Sequence, residues 1–153
     1  MISEYRKNVA IVIFNKEKKV LMCERIDFEN QWQFPQGGID EGETPQTAAI
    51  RELFEETSIK SAKLIYTTSD CISYDFPLDV QQKFQSKGQE QYWSLFYFTG
   101  NDDEINLKTK QPEFKSYKWI DIKKAPLQII DFKKEAYQKA VNLLEPMINA
   151  YKA

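Results

Sequence analysis

The chain has 153 residues, a formal net charge of −2 and no histidine. A chain of this length can bury more than half of the surface that its unfolded form exposes, so we expect one domain spanning residues 1–153. The lack of histidine excludes a Ser-His-Asp triad, a His-ligated zinc site and an imidazole general base. The slightly acidic balance argues against proteins that track long nucleic-acid backbones, and against DNA groove binding.

The apolar runs and the two cysteines limit where in the cell the protein can be expected. No apolar run approaches the roughly 18 residues of a membrane span, and the first residues lack the pattern of a signal peptide. Cys23 and Cys71 lie in apolar stretches without metal-ligand spacing, which predicts buried free thiols and a reducing compartment. We therefore expect a cytoplasmic protein that has no membrane partner.

The order of elements predicts a mixed α/β organisation. Apolar and β-branched residues flank the lysine-rich turn NKEKK and indicate a hairpin, and three later segments have strand composition. The predicted strands cover about 8–14, 20–24, 63–74, 91–98 and 117–122. A helix with 3.6-residue periodicity is expected from 133 to about 151, and Pro146 should kink or interrupt it.

The clearest single element is a helix at about 45–57. Thr44 is a good N-cap and Pro45 fits the first helical position. Ile50, Leu53 and Phe54 gather on one side of this helix, where we expect them to pack against the core.

The opposite side of the same helix carries three glutamates. Glu52, Glu55 and Glu56 fall within one arc of roughly 100°, and their mutual repulsion would be removed by a bound cation. Arg51 precedes Glu55 by four residues and can pair with it. Such an all-carboxylate site suits Mg²⁺, with Mn²⁺ as a substitute. An ordinary solvated helix face is the alternative for three glutamates taken alone.

The wider pattern is more specific than the three glutamates. Glycines at positions 37, 38 and 42 permit a tight loop before the helix. Together with the helix, this segment resembles the Nudix box, whose fixed positions are matched by Gly37, Glu43, Arg51, Glu52, Leu53, Glu55, Glu56 and Ile59. Ser58 stands where the family has glycine, at a helix end that favours a left-handed residue. We expect this departure to cost on the order of 1 kcal/mol of local stability.

Motifs outside the box are similar to one branch of that family, the bacterial RNA 5′-pyrophosphohydrolases, which are related to the plant-type diadenosine tetraphosphate hydrolases. These motifs are YRxNV at 5–9, WQFPQGG at 32–38, YDFP at 74–77, GQxQ at 88–91, PEF at 112–114 and FK at 132–133. The resemblance implies an α/β/α sandwich with a mixed sheet. Lys7 and Ile26 depart from the branch, and Ile26 bears on base preference.

The resemblance also implies a set of catalytic and metal-binding residues. Two or three Mg²⁺ ions would be held by Glu52, Glu55, Glu56 and Glu113, of which Glu113 lies far from the box in sequence. Glu52 is the first choice as general base and Glu56 as the central ligand, and Arg51 is grouped with them in the catalytic set.

Substrate-binding residues are implied in the same way. They are Arg6, Arg25, Gln36, Gly37, Gly38, Tyr74, Gln89, Gln91, Phe132 and Lys133. Arg6, Arg25 and Lys133 are candidates for phosphate binding, although Arg25 can instead pair with Glu24 or Asp27. Tyr74 and Phe132 are expected either to bracket a base or to belong to the core. If Gln89 and Gln91 lie on a strand, one of them is expected to point away.

These expectations describe an enzyme that hydrolyses phosphoanhydrides. The favoured function converts 5′-triphosphorylated RNA to a 5′-monophosphate end and so initiates mRNA decay. The alternatives are a dinucleoside polyphosphate hydrolase and a non-catalytic nucleotide-binding module. We expect a monomer, and the sequence identifies no protein activator.

Overall fold

The computed structural model describes residues 2–153, which form a mixed β-sheet between helices. The strands are β1 (Tyr5–Phe14), β2 (Val20–Arg25), β3 (Trp32–Gln33), β4 (Gln36–Gly38), β5 (Ala62–Thr67), β6 (Ile72–Asp75), β7 (Gly88–Phe98) and β8 (Phe114–Ile120). The helices are α1 (Pro45–Thr57), α2 (Leu78–Phe84) and α3 (Lys134–Ala150), with 3-10 turns at Asp102–Glu104, Ile122–Leu127 and Asp131–Lys133. The predicted α/β class is confirmed.

The sheet is organised around the parallel pair β1 and β7, which run side by side from Tyr5 and Gly88 to Phe14 and Tyr97. Its main path is β3-β2-β1-β7-β5, and β4, β6 and β8 pair with β1, β7 and β2 respectively. Those three extra pairings are antiparallel, so the sheet is mixed. The expected hairpin of β1 and β2 is present, with Phe14 opposite Val20.

The two faces of the sheet carry separate cores. Val9, Ile11 and Ile13 of β1 pack in one cluster with the buried residues of α1. The alternate residues of β1, from Ala10 to Phe14, pack in a second cluster with α3. This follows from the two-residue repeat of a strand, which sends successive side chains to opposite faces. The layers form the expected α/β/α sandwich.

One predicted strand is two strands in the structure. The segment expected at about 63–74 divides into β5 and β6, which pair with different parts of β7. Between them, the backbone N–H of Thr68 donates to the Trp93 carbonyl, and Thr68 Oγ1 accepts from the Trp93 N–H at 3.0 Å. Because a side-chain oxygen takes the place of a ladder carbonyl, the strand is interrupted there.

Other boundaries also differ from the prediction. The two short strands β3 and β4, the helix α2 and the 3-10 turns were not expected, and β1, β7 and β8 begin three residues earlier than predicted. Pro146 does not interrupt α3, which continues to Ala150. Pro146 and Asn142 are both exposed, so water can bond the carbonyl that loses its helical donor.

Two burial predictions were partly wrong. Of the three apolar residues expected to pack, only Leu53 is buried, whereas Ile50 and Phe54 are 55% and 43% exposed. The small residues Ala48 and Ala49 make the remaining contacts, which lets the helix approach the sheet closely. Both cysteines are free, but Cys71 is only half-buried. No helix within residues 2–153 is long and apolar enough to cross a membrane.

Candidate active site

Helix α1 is held at both ends by the local signals that its sequence contains. Thr44 Oγ1 accepts from the Thr47 N–H at 3.1 Å, and Pro45 occupies the first turn. At the other end Ser58 is left-handed, with φ of 67°, and its N–H donates to the Phe54 carbonyl. The carboxylate-bearing side of α1 is therefore fixed relative to the loop before it.

Arg51 joins that loop to the helix. Its Nε and Nη2 donate to the two oxygens of Glu43, both at 2.8 Å. Nη1 donates to Glu52 at 2.8 Å and to Glu55 at 3.2 Å, and Nη2 also reaches the Gly38 carbonyl at 2.9 Å. The expected pairing with Glu55 is present, but the bidentate partner is Glu43. Arg51 thus links the loop carboxylate Glu43 to Glu52 and Glu55 on the helix.

The loop approaches the helix most closely at Gly37. A Cβ atom there would overlap the carboxyl group of Glu52, so any other residue would force that side chain to move. Glu52 keeps 13% of its side chain exposed. Burial raises the pKa of Glu52, and hydrogen bonding to Arg51 opposes this effect. A carboxylate in this setting is a better proton acceptor than an exposed one.

Of the three glutamates on this side of α1, Glu56 has the negative charge that is least balanced by hydrogen bonds and ion pairs. Burial raises the pKa of Glu56 well above its ordinary value, and the nearby Glu52 and Glu113 carboxylates raise it further. Its one hydrogen bond comes from the Gln36 N–H at 3.3 Å. Within residues 2–153, no lysine or arginine forms an ion pair with it. A cation beside Glu56 would relieve this repulsion.

Glu113 lies near the same glutamates although it is more than 50 residues later in the sequence. It immediately precedes β8, and its carbonyl accepts from the Ile26 N–H at 3.0 Å, next to a bulge in the β2–β8 pairing. Its side chain lines a cleft of about 670 Å³ with Glu52, Glu55 and Glu56. All four predicted metal ligands therefore border one cleft.

The carboxylates are not yet arranged as a coordination sphere. In residues 2–153, no group of three or more aspartate, glutamate or cysteine side chains could hold a metal ion as placed. Arg51 Nη1 donates a hydrogen bond to one oxygen of Glu52 and to one oxygen of Glu55, so both carboxylates are turned toward Arg51. The donor chemistry, oxygen only and strongly negative, fits a hard divalent ion. Coordination requires new rotamers of these side chains.

A second polar region lies on the α3 side of the sheet. Gln89 and Gln91 are buried on β7. The expectation that one would point away was wrong, because residues two apart on a strand share a face. The Tyr74 hydroxyl donates to Gln89, and Gln91 Nε2 donates to Gln36 Oε1 at 3.0 Å. Since the Gln36 N–H also reaches Glu56, Gln36 connects this region to the carboxylate cleft.

Two buried acceptors in this region have no donor. Asn8 Oδ1 and Gln91 Oε1 make no hydrogen bond within the described residues, and they belong to residues paired across β1 and β7. Buried amide oxygens are nearly always satisfied, so these two mark a place for water or ligand. Asn8 was not among the predicted site residues. A polar residue beginning the apolar run VAIVIF was the available signal.

Cationic groups surround the second region. Lys133 is buried, and burial together with the field of Arg25 lowers the pKa of Lys133 to about 8. Arg25 pairs with Asp27, through Nε–Oδ1 at 2.9 Å and Nη2–Oδ2 at 2.7 Å, which is the alternative named for it above. Arg6 is exposed on β1 and lies opposite Gln89. The predicted phosphate-binding cations thus lie near one another, beside this polar region.

The two aromatic candidates do not form a base-binding slot in this structure. Tyr74 is buried, and its ring centroid lies 5.9 Å from that of Phe132. This separation leaves no room for a base between the rings, because two stacking distances are needed. Tyr74 belongs to a small core with Phe76 and Ala136. Phe132 is half-buried against that core and keeps one side accessible.

Comparison with known proteins agrees with this arrangement. A NUDIX domain model matches residues 4–140. An RNA pyrophosphohydrolase of Pelagibacter ubique is 45% identical, with 94% of each chain covered. The chloroplastic Nudix hydrolase 26 of Arabidopsis thaliana is 42% identical over 90% of this chain and 68% of its own.

A solved structure extends the agreement to the fold. The dihydroneopterin triphosphate pyrophosphohydrolase of E. coli superposes with a TM-score of 0.68 at 22% identity, covering 92% of this chain and 99% of that one. Fold, site geometry and sequence therefore agree, and this chain belongs to the Nudix hydrolase family.

Proposed function

We propose that the protein is an RNA 5′-pyrophosphohydrolase, which converts a 5′-triphosphorylated RNA end to a 5′-monophosphate and so starts decay of the transcript. One observation carries the proposal: Gln36 joins the carboxylate cleft to the buried polar region that contains Gln91, near Arg25 and Lys133. A triphosphate lying across Gln36 would place its scissile anhydride at the carboxylates. The name of the Pelagibacter relative agrees with this substrate.

The metal site would be formed by Glu52, Glu55, Glu56 and Glu113. Two or three Mg²⁺ ions, or Mn²⁺ in their place, supply polarisation of the phosphoryl oxygens and activation of a water when bound. Glu56 is the central ligand in this proposal because it is the least compensated carboxylate of the cleft. Glu55 is exposed and pairs with Arg51 at 3.2 Å, so it can change rotamer to reach a metal ion.

Other residues of the chain handle the proton and the substrate. Glu52, whose pKa is raised by burial, accepts the proton of the attacking water. Gly37 and Gly38 keep the loop close enough for backbone contact with phosphate. Lys133, Arg25 and Arg6 neutralise the phosphates that do not react. Gln89 accepts from Tyr74 through its oxygen, which leaves its amide free to donate.

Phe132 takes the first base in this proposal. Its exposed side can stack on a base of any sequence, whereas the buried Tyr74 supports it from behind. Ile26 cannot donate a hydrogen bond, so base preference at this end should be weak. The proposal implies action where transcripts are made and degraded, in the cytoplasm, and we propose that the protein acts as a monomer.

The decisive experiment compares two substrates under identical Mg²⁺ conditions. Triphosphorylated RNA labelled at the 5′ end should be converted to monophosphorylated RNA, with release of pyrophosphate or successive orthophosphates. Diadenosine tetraphosphate tests the alternative, because it presents the same anhydride without an RNA chain. Much faster turnover of the dinucleotide would replace the RNA proposal with a dinucleoside polyphosphate hydrolase. Absence of turnover on both would favour a non-catalytic module.

A further inference from the structure

Two exposed phenylalanines each lie beneath an arginine. Phe28 and Phe84 are 50% and 46% exposed. The guanidinium carbon of Arg25 lies 5.3 Å from the Phe28 ring centroid, and that of Arg6 lies 5.8 Å from the Phe84 centroid. Lys83 adds a third cation, 5.5 Å from the Phe84 centroid. A cation over the face of an aromatic ring is attracted to it electrostatically, so these side chains hold one another in place.

Both pairs belong to one surface, which we call the Phe28–Phe84 surface. Asp27 lies between them: hydrogen bonds from Arg25 lower the pKa of Asp27, and the field of Lys83 contributes from the α2 side. Arg6 and Arg25 also act together on the phenol of Tyr74 beneath them. The loop after β2 and the end of α2 thus come together, with three cations and one carboxylate.

Core packing does not account for these rings. In the described residues, α2 has no buried residue, and neither phenylalanine is a member of a buried cluster. Phe84 contacts Phe76 with centroids 5.8 Å apart and an interplanar angle of 44°, and it remains exposed despite this contact. Two apolar side chains held open to water cost free energy unless something covers them.

We propose that the Phe28–Phe84 surface binds the RNA chain beyond its first nucleotide, with bases on the two rings and a backbone phosphate on Lys83, while Arg25 and Arg6 lie at its border with the triphosphate site. The proposal rests on the RNA function given above and deepens it. Base stacking on aromatic rings tolerates any sequence, and the neighbouring cations match a polyanion rather than an apolar peptide. The surface would give RNA an advantage over small nucleotides that share only the triphosphate site.

The test distinguishes stacking on an aromatic ring from a contact that any apolar side chain could make. Phe28→Leu and Phe84→Leu keep an apolar side chain without a stacking face, whereas Phe28→Trp and Phe84→Trp keep one. On a triphosphorylated dodecanucleotide, each leucine variant should lower kcat/KM by about tenfold. The tryptophan variants should retain the wild-type value, and a nucleoside triphosphate, which has no nucleotide beyond the first, should be hydrolysed equally by all. An equal loss on the dodecanucleotide and the nucleoside triphosphate, or no loss on either, would overturn the proposal.

A binding measurement keeps this test independent of turnover. Fluorescence anisotropy with a labelled, 5′-monophosphorylated dodecanucleotide should show weaker binding by the leucine variants and a shallower salt dependence for Lys83→Gln. Leu143→Ala, on exposed α3, should bind as the wild type does. If the wild type hydrolyses no triphosphorylated RNA, the proposed function fails. Equal binding by wild type and the leucine variants would instead remove the Phe28–Phe84 surface alone.

Discussion

The guanidinium of Arg51 donates two parallel hydrogen bonds of 2.8 Å to the Glu43 carboxylate, and so holds the glycine loop against α1. Replacing Arg51 with lysine keeps the charge but removes the fork. We expect Arg51→Lys to lower activity at a fixed Mg²⁺ concentration by about 10- to 100-fold, because a support for the ligands is lost. Titration of activity against Mg²⁺ checks this. An unchanged curve would show that Arg51 does not position Glu52 or Glu55.

The same pair predicts a dependence of stability on pH. Hydrogen bonds from Arg51 lower the pKa of Glu43 to about 2 from an ordinary 4.5. A carboxylate whose pKa is lower in the folded state stabilises the protein above its unfolded pKa, and this contribution disappears as the pH falls toward 2. Urea midpoints across that window should fall less steeply for Glu43→Gln than for the wild type. Parallel pH profiles for the two proteins would contradict the pairing.

Ser58 offers a test of strain at the end of α1. The left-handed backbone there disfavours any residue with a Cβ atom, but the Ser58 hydroxyl donates to the Asn106 carbonyl at 2.9 Å. Ser58→Ala keeps the strain and loses the bond, whereas Ser58→Gly loses both. We expect Ser58→Ala to be less stable than Ser58→Gly by about 1 kcal/mol in urea unfolding. Equal stabilities would mean that the residue is not strained.

Structural features that depend on residues close together in the sequence could be predicted from it, whereas features that depend on distant residues could not. Thr44, Pro45 and Ser58 act within a few residues, so both ends of α1 were predictable. The carboxylate set was predictable from the box, except for Glu113, which family resemblance alone suggested. Its approach depends on the Ile26–Glu113 hydrogen bond beside a strand bulge, which no local pattern encodes.

The residues of the second polar region were less predictable, because their roles depend on which side chains the fold buries. Tyr74 reads equally well as a stacking ring or a core residue, and only the packing of Phe76 and Ala136 around it settles the choice. Gln36 and Gln91 lie 55 positions apart in the chain and meet only because β4 and β7 flank β1. Asn8 became visible as a site residue through its unsatisfied oxygen.

Lys133 predicts a pH dependence of substrate capture. Burial lowers the pKa of Lys133 to about 8, so the free enzyme loses this positive charge as the pH rises through that value. The kcat/KM for triphosphorylated RNA, which reports the free enzyme, should fall above about pH 8. Lys133→Arg keeps its charge and should move this fall to higher pH. Lys133→Met should have a low kcat/KM without that transition. Identical profiles for wild type and Lys133→Arg would exclude the lysine as the titrating group.

Glu56 should show opposite effects on stability and on turnover. In the metal-free protein, its buried charge faces Glu52 and Glu113, so Glu56→Gln should increase the free energy of unfolding by on the order of 1 kcal/mol. Mg²⁺ should raise the Tm of the wild type but not of this variant. Loss of a central metal ligand should lower turnover at least about a hundredfold. Glu17→Gln, in an exposed turn, is the matched control and should change neither property. If the Glu56→Gln protein kept both its Mg²⁺-induced Tm shift and its turnover, Glu56 would not be a metal ligand.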